Sequence, residues 1–426
     1  MRNVLFIANR FHPSLRVGAR RATKFAKFLP EYGWQPIVLT VTTSQGTPTQ
    51  HYGVYRLPAL NLDRVYAWAR RIIPRRRLSP STSTTSNAQT VSTTLPTARS
   101  AIFKRWLFIP DEDIFWALCA AWVGLRLAKA NHVEAIYSTA PPFSSHLAAW
   151  IISRRLHLPW VADLRDPWLT HPEITYPTSF HRWLNAQLES ATIHTADRIT
   201  NVSPHMQQDF ISRYPGKSPD AFLTIYNGFD PDDFATIRRE RPQQKRLRIL
   251  HNGTFHGTKT PVPFLEALAQ LRDNPLLEDI EVYFVGASKH ILQPLIDVFA
   301  LAPLVTVLEY MPHQQSLQHL LDADLLLLVS GATAITAKMF EYLAVQKPIL
   351  AVVDPHGAAA RLIKKSKAGI VVDHHSPAAI ADGLVRLIQS IRVGNAPSAE
   401  TGFAAQFDYK VLTRQLARCL GEICGY

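Results

Sequence analysis

Residues 325–351 constrain the fold of this chain more than any other stretch. Leu325 to Val329 is an apolar run short enough for a buried strand. Ser330-Gly331-Ala332-Thr333-Ala334 follows, a small-residue turn that leaves backbone N–H groups exposed. From about Thr336 the spacing becomes helical, with Met339, Phe340 and Leu343 on one side. Val345-Gln346-Lys347-Pro348 follows, and Ile349 to Val353 continues the alternation. A strand, a small-residue turn and a helix point free N–H groups and a positive dipole end at an anion. Lys338 adds a full charge in the first helical turn, and Glu341 lies one turn on, within reach of a ligand diol. A phosphate site beside a carboxylate for a ribose describes a nucleoside-diphosphate site. An ordinary βα unit with a surface lysine and glutamate has the same local pattern.

The rest of the chain repeats the alternation. Val4 to Ala8 reads as a buried parallel strand, Asn9 to Gly18 as a loop ringed by Arg16, Arg20 and Arg21, and Ala22 to Leu29 as a helix. Trp34 to Val41 is the next strand. No G-x-G-x-x-G follows the first strand, which argues against a dinucleotide cofactor. Asp111 to Ala130 is a helix with acids at its start and Arg126 and Lys129 at its end. Its Phe115, Trp116, Trp122 and Leu125 are expected in the core, a wall facing a bound molecule being the other reading. In Trp160 to Trp168 a strand runs to about Leu164, and Asp163, Arg165 and Asp166 fall at its C-terminal end, where open α/β sheets bind ligands. Ser203 either caps the helix after it or touches ligand. Gly253, Gly257 and Lys259 lie in a loop whose N–H groups and ammonium suit a diphosphate, though the G-K-[ST] ending of a P-loop is missing.

Net charge is +13 and the pI about 9.7, so an anionic partner is expected: phosphorylated small molecules, an anionic membrane surface, or nucleic acid. No nucleic-acid-binding signature accompanies the charge, and nucleic acid is set aside. Val65 to Arg77 interleaves Tyr66, Trp68, Ile72 and Ile73 with five arginines and suits an anionic membrane surface, or a solvated loop. Ser79 to Ser100 is Ser/Thr-rich and is predicted to be a flexible insertion. Cys119, Cys419 and Cys424 form no pairing pattern and no zinc spacing, which fits a reducing cytoplasm. The N-terminus lacks a signal-peptide layout, and the most apolar segment, Ile114 to Leu127, is too short to span a bilayer.

Lys338-Met339-Phe340-Glu341-Tyr342-Leu343-Ala344 with Lys347-Pro348-Ile349-Leu350-Ala351 resembles the donor-site segment of glycosyltransferase family 4, the group 1 glycosyltransferases. Tyr32-Gly33-Trp34-Gln35-Pro36-Ile37-Val38-Leu39-Thr40, Asp163-Leu164-Arg165-Asp166-Pro167-Trp168 and Ile225-Tyr226-Asn227-Gly228-Phe229-Asp230 are similar to further segments of that family. The resemblance covers nearly the whole chain apart from about 60–105. It implies an α/β protein of GT-B architecture, two Rossmann-like domains facing a central cleft: an acceptor domain 1–230, a linker 231–246, a nucleotide-sugar donor domain 247–405, and a C-terminal helix 406–426 crossing back.

The resemblance implies transfer of a sugar from a UDP- or GDP-linked donor to a sugar or lipid-linked acceptor hydroxyl, with retention, by a hexosyltransferase-like enzyme of cell-envelope polysaccharide or glycolipid synthesis. Neither a cofactor nor an obligatory metal is expected. The implied donor site comprises Gly253, His256, Lys259, Tyr310, His313, Gly331, Thr333, Thr336, Lys338 and Glu341, with Glu341 on the ribose and Tyr310 or His313 at the base. Arg165 and Asp166 are the candidate catalytic pair; Gly18, Asp163 and Asn227 are candidate cleft residues. The basic surface suits an enzyme of the cytoplasm working at the inner membrane face. Many family members carry another glutamate where this chain has Thr333, which keeps open a nucleotide-sugar-binding protein without turnover, beside a sugar-nucleotide epimerase.

Overall fold

The structure, a computed structural model, describes residues 1–14, 17–42, 53–59, 106–171, 174–239, 246–255, 259–331, 335–400 and 402–426. The basic aromatic stretch 65–77, the Ser/Thr-rich stretch 79–100, His256 and Thr333 lie outside the described residues.

Strands β1 (Arg2–Ile7), β2 (Trp34–Val41), β3 (Gly53–Leu57), β4 (Val133–Ala140), β5 (Trp160–Leu164), β6 (Arg198–Asn201) and β7 (Phe222–Thr224) form a sheet in the order β3-β2-β1-β4-β5-β6-β7. Helices α1 (Val17–Phe28), α2 (Ile114–Ala130), α3 (Ser144–Leu156), α4 (Ser179–Thr195) and α5 (Pro204–Arg213) connect them. A second sheet holds β8 (Leu247–Asn252), β9 (Ile280–Val285), β10 (Val305–Leu308), β11 (Leu325–Val329), β12 (Ile349–Val353) and β13 (Gly369–Asp373), ordered β10-β9-β8-β11-β12-β13 and parallel throughout. Its helices are α6 (Val262–Gln270), α7 (Lys289–Val298), α8 (His313–Asp322), α9 (Ala337–Ala344), α10 (Ala358–Ser366) and α11 (Pro377–Arg392); α12 (Tyr409–Ile423) ends the chain. Parallel strands buried on both faces require continuous apolar runs. Every residue of β5, β11 and β12 is buried.

The chain divides into two compact units, a smaller one of residues 2–13 and 36–197 and a larger one of residue 1, 14–35 and 198–426. In the larger unit two apolar clusters flank the second sheet, one with Phe264, Phe284 and Leu384, the other with Met339, Phe340, Tyr342 and Phe407. The buried Tyr342 hydroxyl accepts the Asn252 N–H at 2.7 Å and so ties α9 to the end of β8. Within the same unit α1 packs on α12: Phe25 meets Tyr409 edge-on at 5.9 Å, and the Tyr32 hydroxyl donates to the Lys410 carbonyl at 2.9 Å. Asp230 is buried and accepts from Lys24 at 2.5 Å and Lys27 at 2.7 Å, which anchors α1 on the 230–233 turn. An added Cβ on Gly228 would stand 2.2 Å from the Phe407 carbonyl, so this close approach, not a turn conformation, excludes a side chain there.

Two local expectations change, and of the two readings of Ser203 the structure shows the cap. Gly18 is the second residue of α1, not a loop residue, because the helix starts at Val17. Phe115 and Trp122, expected in the core, are exposed, while Trp116 is buried. The helix α2 is apolar around its circumference, and only the face carrying Trp116, Ala117, Ala120 and Gly124 turns inward. Ser203 caps α5, its hydroxyl accepting the Met206 N–H at 3.2 Å.

Candidate active site

The donor segment folds as the local pattern requires. Strand β11 ends at Val329, Ser330 and Gly331 are buried, and α9 begins at Ala337 with Thr336 in the N-cap position. Met339, Phe340, Tyr342 and Leu343 face the core, and Glu341 is drawn in with them, only 2% exposed. A carboxylate so deeply buried must be paired. Three groups of the larger unit meet it. The Arg20 guanidinium on α1 donates to Oε1, His313 Nε2 lies 2.9 Å from the same oxygen, and Lys338 Nζ stands 3.6 Å from Oε2. Burial alone would raise the carboxyl pKa. The charges of Arg20 and Lys338, with His313, outweigh it and hold Glu341 well below the usual carboxylate range. Burial lowers the Lys338 pKa and Arg20 adds to that, while Glu341 opposes it. Arg20 and Lys338 thus share one carboxylate, and the balance of charge favours an anion.

Four buried polar atoms here have no hydrogen-bond partner: Glu341 Oε2, Thr336 Oγ1, Asn252 Nδ2 and His251 Nε2. Buried polar atoms are normally paired, so a cluster of exceptions marks where an incoming ligand can bond. Asn252 Oδ1 accepts the Ser316 hydroxyl at 2.9 Å, which fixes its amide. His251 Nδ1–H donates to the Leu327 carbonyl at 3.0 Å, and the ring stacks on Phe255 with centroids 4.4 Å apart. Burial, with Lys338 and Lys259 adding to it, lowers its pKa to about 4, so the imidazole is neutral and Nε2 is an acceptor. A Cβ on Gly253 would lie 3.4 Å from that Nε2, which places the Gly253 turn beside this edge of the ring.

Of the expected donor residues, Glu341, Lys338 and His313 converge, and Thr336 precedes them at the start of α9. Gly331 sits at the end of β11, Gly253 at the end of β8, and Lys259 close enough to act on His251. Tyr310 is largely exposed. His313, with Tyr310 a candidate for the base, lies against the Glu341 carboxylate. Asn227 lies half-buried between Tyr226, whose carbonyl accepts from Arg21 at 2.6 Å, and the closely packed Gly228. Arg20 and Asn252 were not singled out by sequence. Arg20 stands in a basic trio near the first loop, but its partner is 321 residues away.

The smaller unit gathers a second set at the C-terminal ends of β4 and β5. Asp163 is fully buried and accepts from the Tyr137 hydroxyl at 2.8 Å and the Thr139 hydroxyl at 2.7 Å. Arg165 Nε donates to the Ala140 carbonyl at 3.1 Å and Nη2 to the Pro141 carbonyl, so the guanidinium clasps the turn after β4. Asp166 is half-buried beside it. The buried His146 pairs through Nδ1 with the Ser138 hydroxyl at 2.8 Å, and burial lowers its pKa to about 3.

Comparison with known proteins bears on the family and the fold. Residues 246–390 match the family model described as glycosyl transferases group 1, and residues 79–233 match that of glycosyltransferase family 4. No curated protein matches the chain by sequence. Among solved structures, sucrose-phosphate synthase from Thermosynechococcus elongatus superposes with a TM-score of 0.67 at 14% identity over 99% of both chains. HepE of Anabaena in complex with UDP gives a TM-score of 0.65 at 16% identity over 99% of this chain and all of that one. WaaG, a glycosyltransferase involved in lipopolysaccharide biosynthesis, gives 0.58 at 14% identity over 99% of this chain and 100% of that chain. These likenesses show the two-domain, Rossmann-like GT-B fold. With both models falling on the two halves of that fold, the chain belongs to the group 1, family 4 type of glycosyltransferases.

Proposed function

We propose that the chain moves a sugar from a nucleoside-diphosphate sugar to an acceptor hydroxyl with retention at the anomeric carbon. The observation that carries this reading is the buried Glu341 carboxylate, gripped at Oε1 and unbonded at Oε2, in the first turns of a helix that also presents Lys338. Glu341 holds the ribose diol. Lys338, Lys259 and the backbone N–H groups around Gly331 meet the negative charge that grows on the leaving diphosphate, which is the charge a transferase must stabilise in the transition state. Arg165 and Asp166 serve the acceptor side. HepE is described in complex with UDP and with UDP-glucose, which supports a uridine donor over a guanosine one.

A thermal-shift screen with UDP, GDP, ADP and TDP tests this reading. One of them, at 100 times its dissociation constant, is expected to add roughly 2.7 kcal/mol of stability. The shift is expected to vanish in Glu341→Ala and in the closer-shaped Glu341→Gln. No shift with any nucleotide, or an equal shift in both variants, sinks the donor-site assignment.

A lipid-linked acceptor at an anionic membrane is the finer part of the proposal. The net charge of +13 supports it. So does the exposed aromatic set of the smaller unit, Trp106, Phe115, Trp122, Phe180 and Trp183, since amphipathic rings suit the headgroup region. Among the described residues no helix is long and apolar enough to cross a membrane, so binding is proposed at the surface. Flotation with vesicles containing anionic lipid is expected to carry the protein upward at low salt and to fail at high salt. Sedimentation without the vesicles at low salt refutes the membrane part alone.

A further inference from the structure

Glu341 Oε1 accepts from two side chains, Arg20 and His313, whereas Oε2 accepts from none. A carboxylate oxygen offers two lone-pair positions, so Oε1 is full. A cis-diol binds a carboxylate best with one hydroxyl on each oxygen. Oε2 is ready for one, and Oε1 must give up a donor for the other. Arg20 is the donor whose release has consequences. Its guanidinium is permanently charged and its side chain is only 20% exposed. Leaving Glu341 without another anion would strand a half-buried charge. Lys338 flanks the same carboxylate and already lies within the field of Arg20. A ligand phosphate held by Lys338 therefore arrives within a side-chain swing of Arg20.

Building on the donor-site reading above, we infer that Arg20 is a diphosphate-binding residue held on Glu341, and that nucleotide binding exchanges this ion pair for two contacts, ribose to Glu341 and diphosphate to Arg20. The exchange makes the site respond to a whole nucleoside diphosphate. A nucleoside alone competes with Arg20 for Oε1 and offers it nothing in return, and inorganic diphosphate alone leaves Glu341 stripped of its strongest partner. No bond is made or broken covalently. The side chain moves between two anions, one on the protein and one on the ligand.

Calorimetric titration of UDP and of uridine into wild type, Arg20→Ala and Arg20→Gln tests the exchange, with the corresponding pair used if the thermal-shift screen selects another base. Arg20→Ala is expected to weaken UDP at least about tenfold, or 1.4 kcal/mol, and to leave uridine unchanged or tighter. The salt dependence of UDP binding is expected to become shallower, because one cation has left the phosphate site. Arg20→Gln keeps a hydrogen bond to Glu341 without the charge, so it is expected to lose UDP affinity as the alanine variant does while preserving the packing. If UDP and uridine weaken by the same factor, Arg20 only props up Glu341 and the exchange is wrong. If neither changes, Arg20 has no part in binding. Wild-type protein that binds no nucleotide refutes the donor site itself, whereas wild-type binding with an unaltered UDP-to-uridine ratio in both variants refutes only the role of Arg20.

Discussion

Lys338→Ala is expected to lower the turnover of the sugar nucleotide by about two to three orders of magnitude, the loss seen when one preorganised stabiliser of a developing charge is removed. The residue stands in the first turn of α9, where the helix dipole and the free N–H groups already favour an anion. Its ammonium is half-buried, so its charge acts through little water, and it lies 3.6 Å from Glu341. Burial and Arg20 lower its pKa, and the neighbouring Glu341 carboxylate opposes the fall. Charge on the leaving diphosphate is larger in the transition state than in the bound donor, so kcat is expected to fall further than donor affinity. Lys338→Arg, which keeps the charge, is expected to retain part of the activity. The check is donor consumption with the nucleotide sugar that the thermal-shift screen identifies, measured with and without candidate acceptors. A loss of less than about threefold, well under 1 kcal/mol, places Lys338 outside the diphosphate contact.

The largest effect on stability is expected at Gly369. This residue opens β13 and pairs with Ile349 of β12. An added Cβ would lie 1.8 Å from the Ile349 carbonyl oxygen and 2.8 Å from its nitrogen. Both atoms belong to the backbone of a buried strand, and the Ile349 N–H is already bonded to the Ala368 carbonyl at 3.0 Å. No rotamer change relieves such a clash, so β12 and β13 must separate. Gly369→Ala is expected to cost about 4 kcal/mol or more, in the range reserved for a broken core. Gly33→Ala is the contrast. Gly33 sits at φ 84° with nothing within 4 Å of its Cβ position, so only the left-handed backbone is strained. Its expected cost is about 1–2 kcal/mol. Urea unfolding of both variants checks the order, and equal midpoints would show that the β12–β13 contact yields more readily than its geometry suggests.

The contrast between those two glycines shows what a sequence carries. Both precede strand-like runs, and nothing local distinguishes a glycine needed for its φ from one needed for space. Gly369 is singled out only when Ile349, twenty positions back, is laid beside it in the sheet. The aromatic residues of α2 behave likewise. Phe115, Trp116 and Trp122 belong to one apolar segment, and the neighbours present on one side decide that Trp116 is buried and the other two exposed.

Strand and helix patterns were legible because they arise from interactions among residues a few positions apart. Leu325–Val329 is a strand as its run of apolar residues requires, and the helix through Lys338 and Glu341 follows from the spacing of Met339, Phe340 and Leu343. Those patterns, with the motif of the donor segment, determined the α/β class, the family and the placing of a cation and a carboxylate on one helix. The tertiary structure alone decided what those groups touch. The segment 14–35 folds in one compact unit with 198–426, which brings Arg20 onto Glu341 across 321 positions, and β4 brings the Ala140 and Pro141 carbonyls to Arg165. Ion pairing and carbonyl binding depend on distance in space, and chain closure over hundreds of residues leaves no local trace in the order of amino acids.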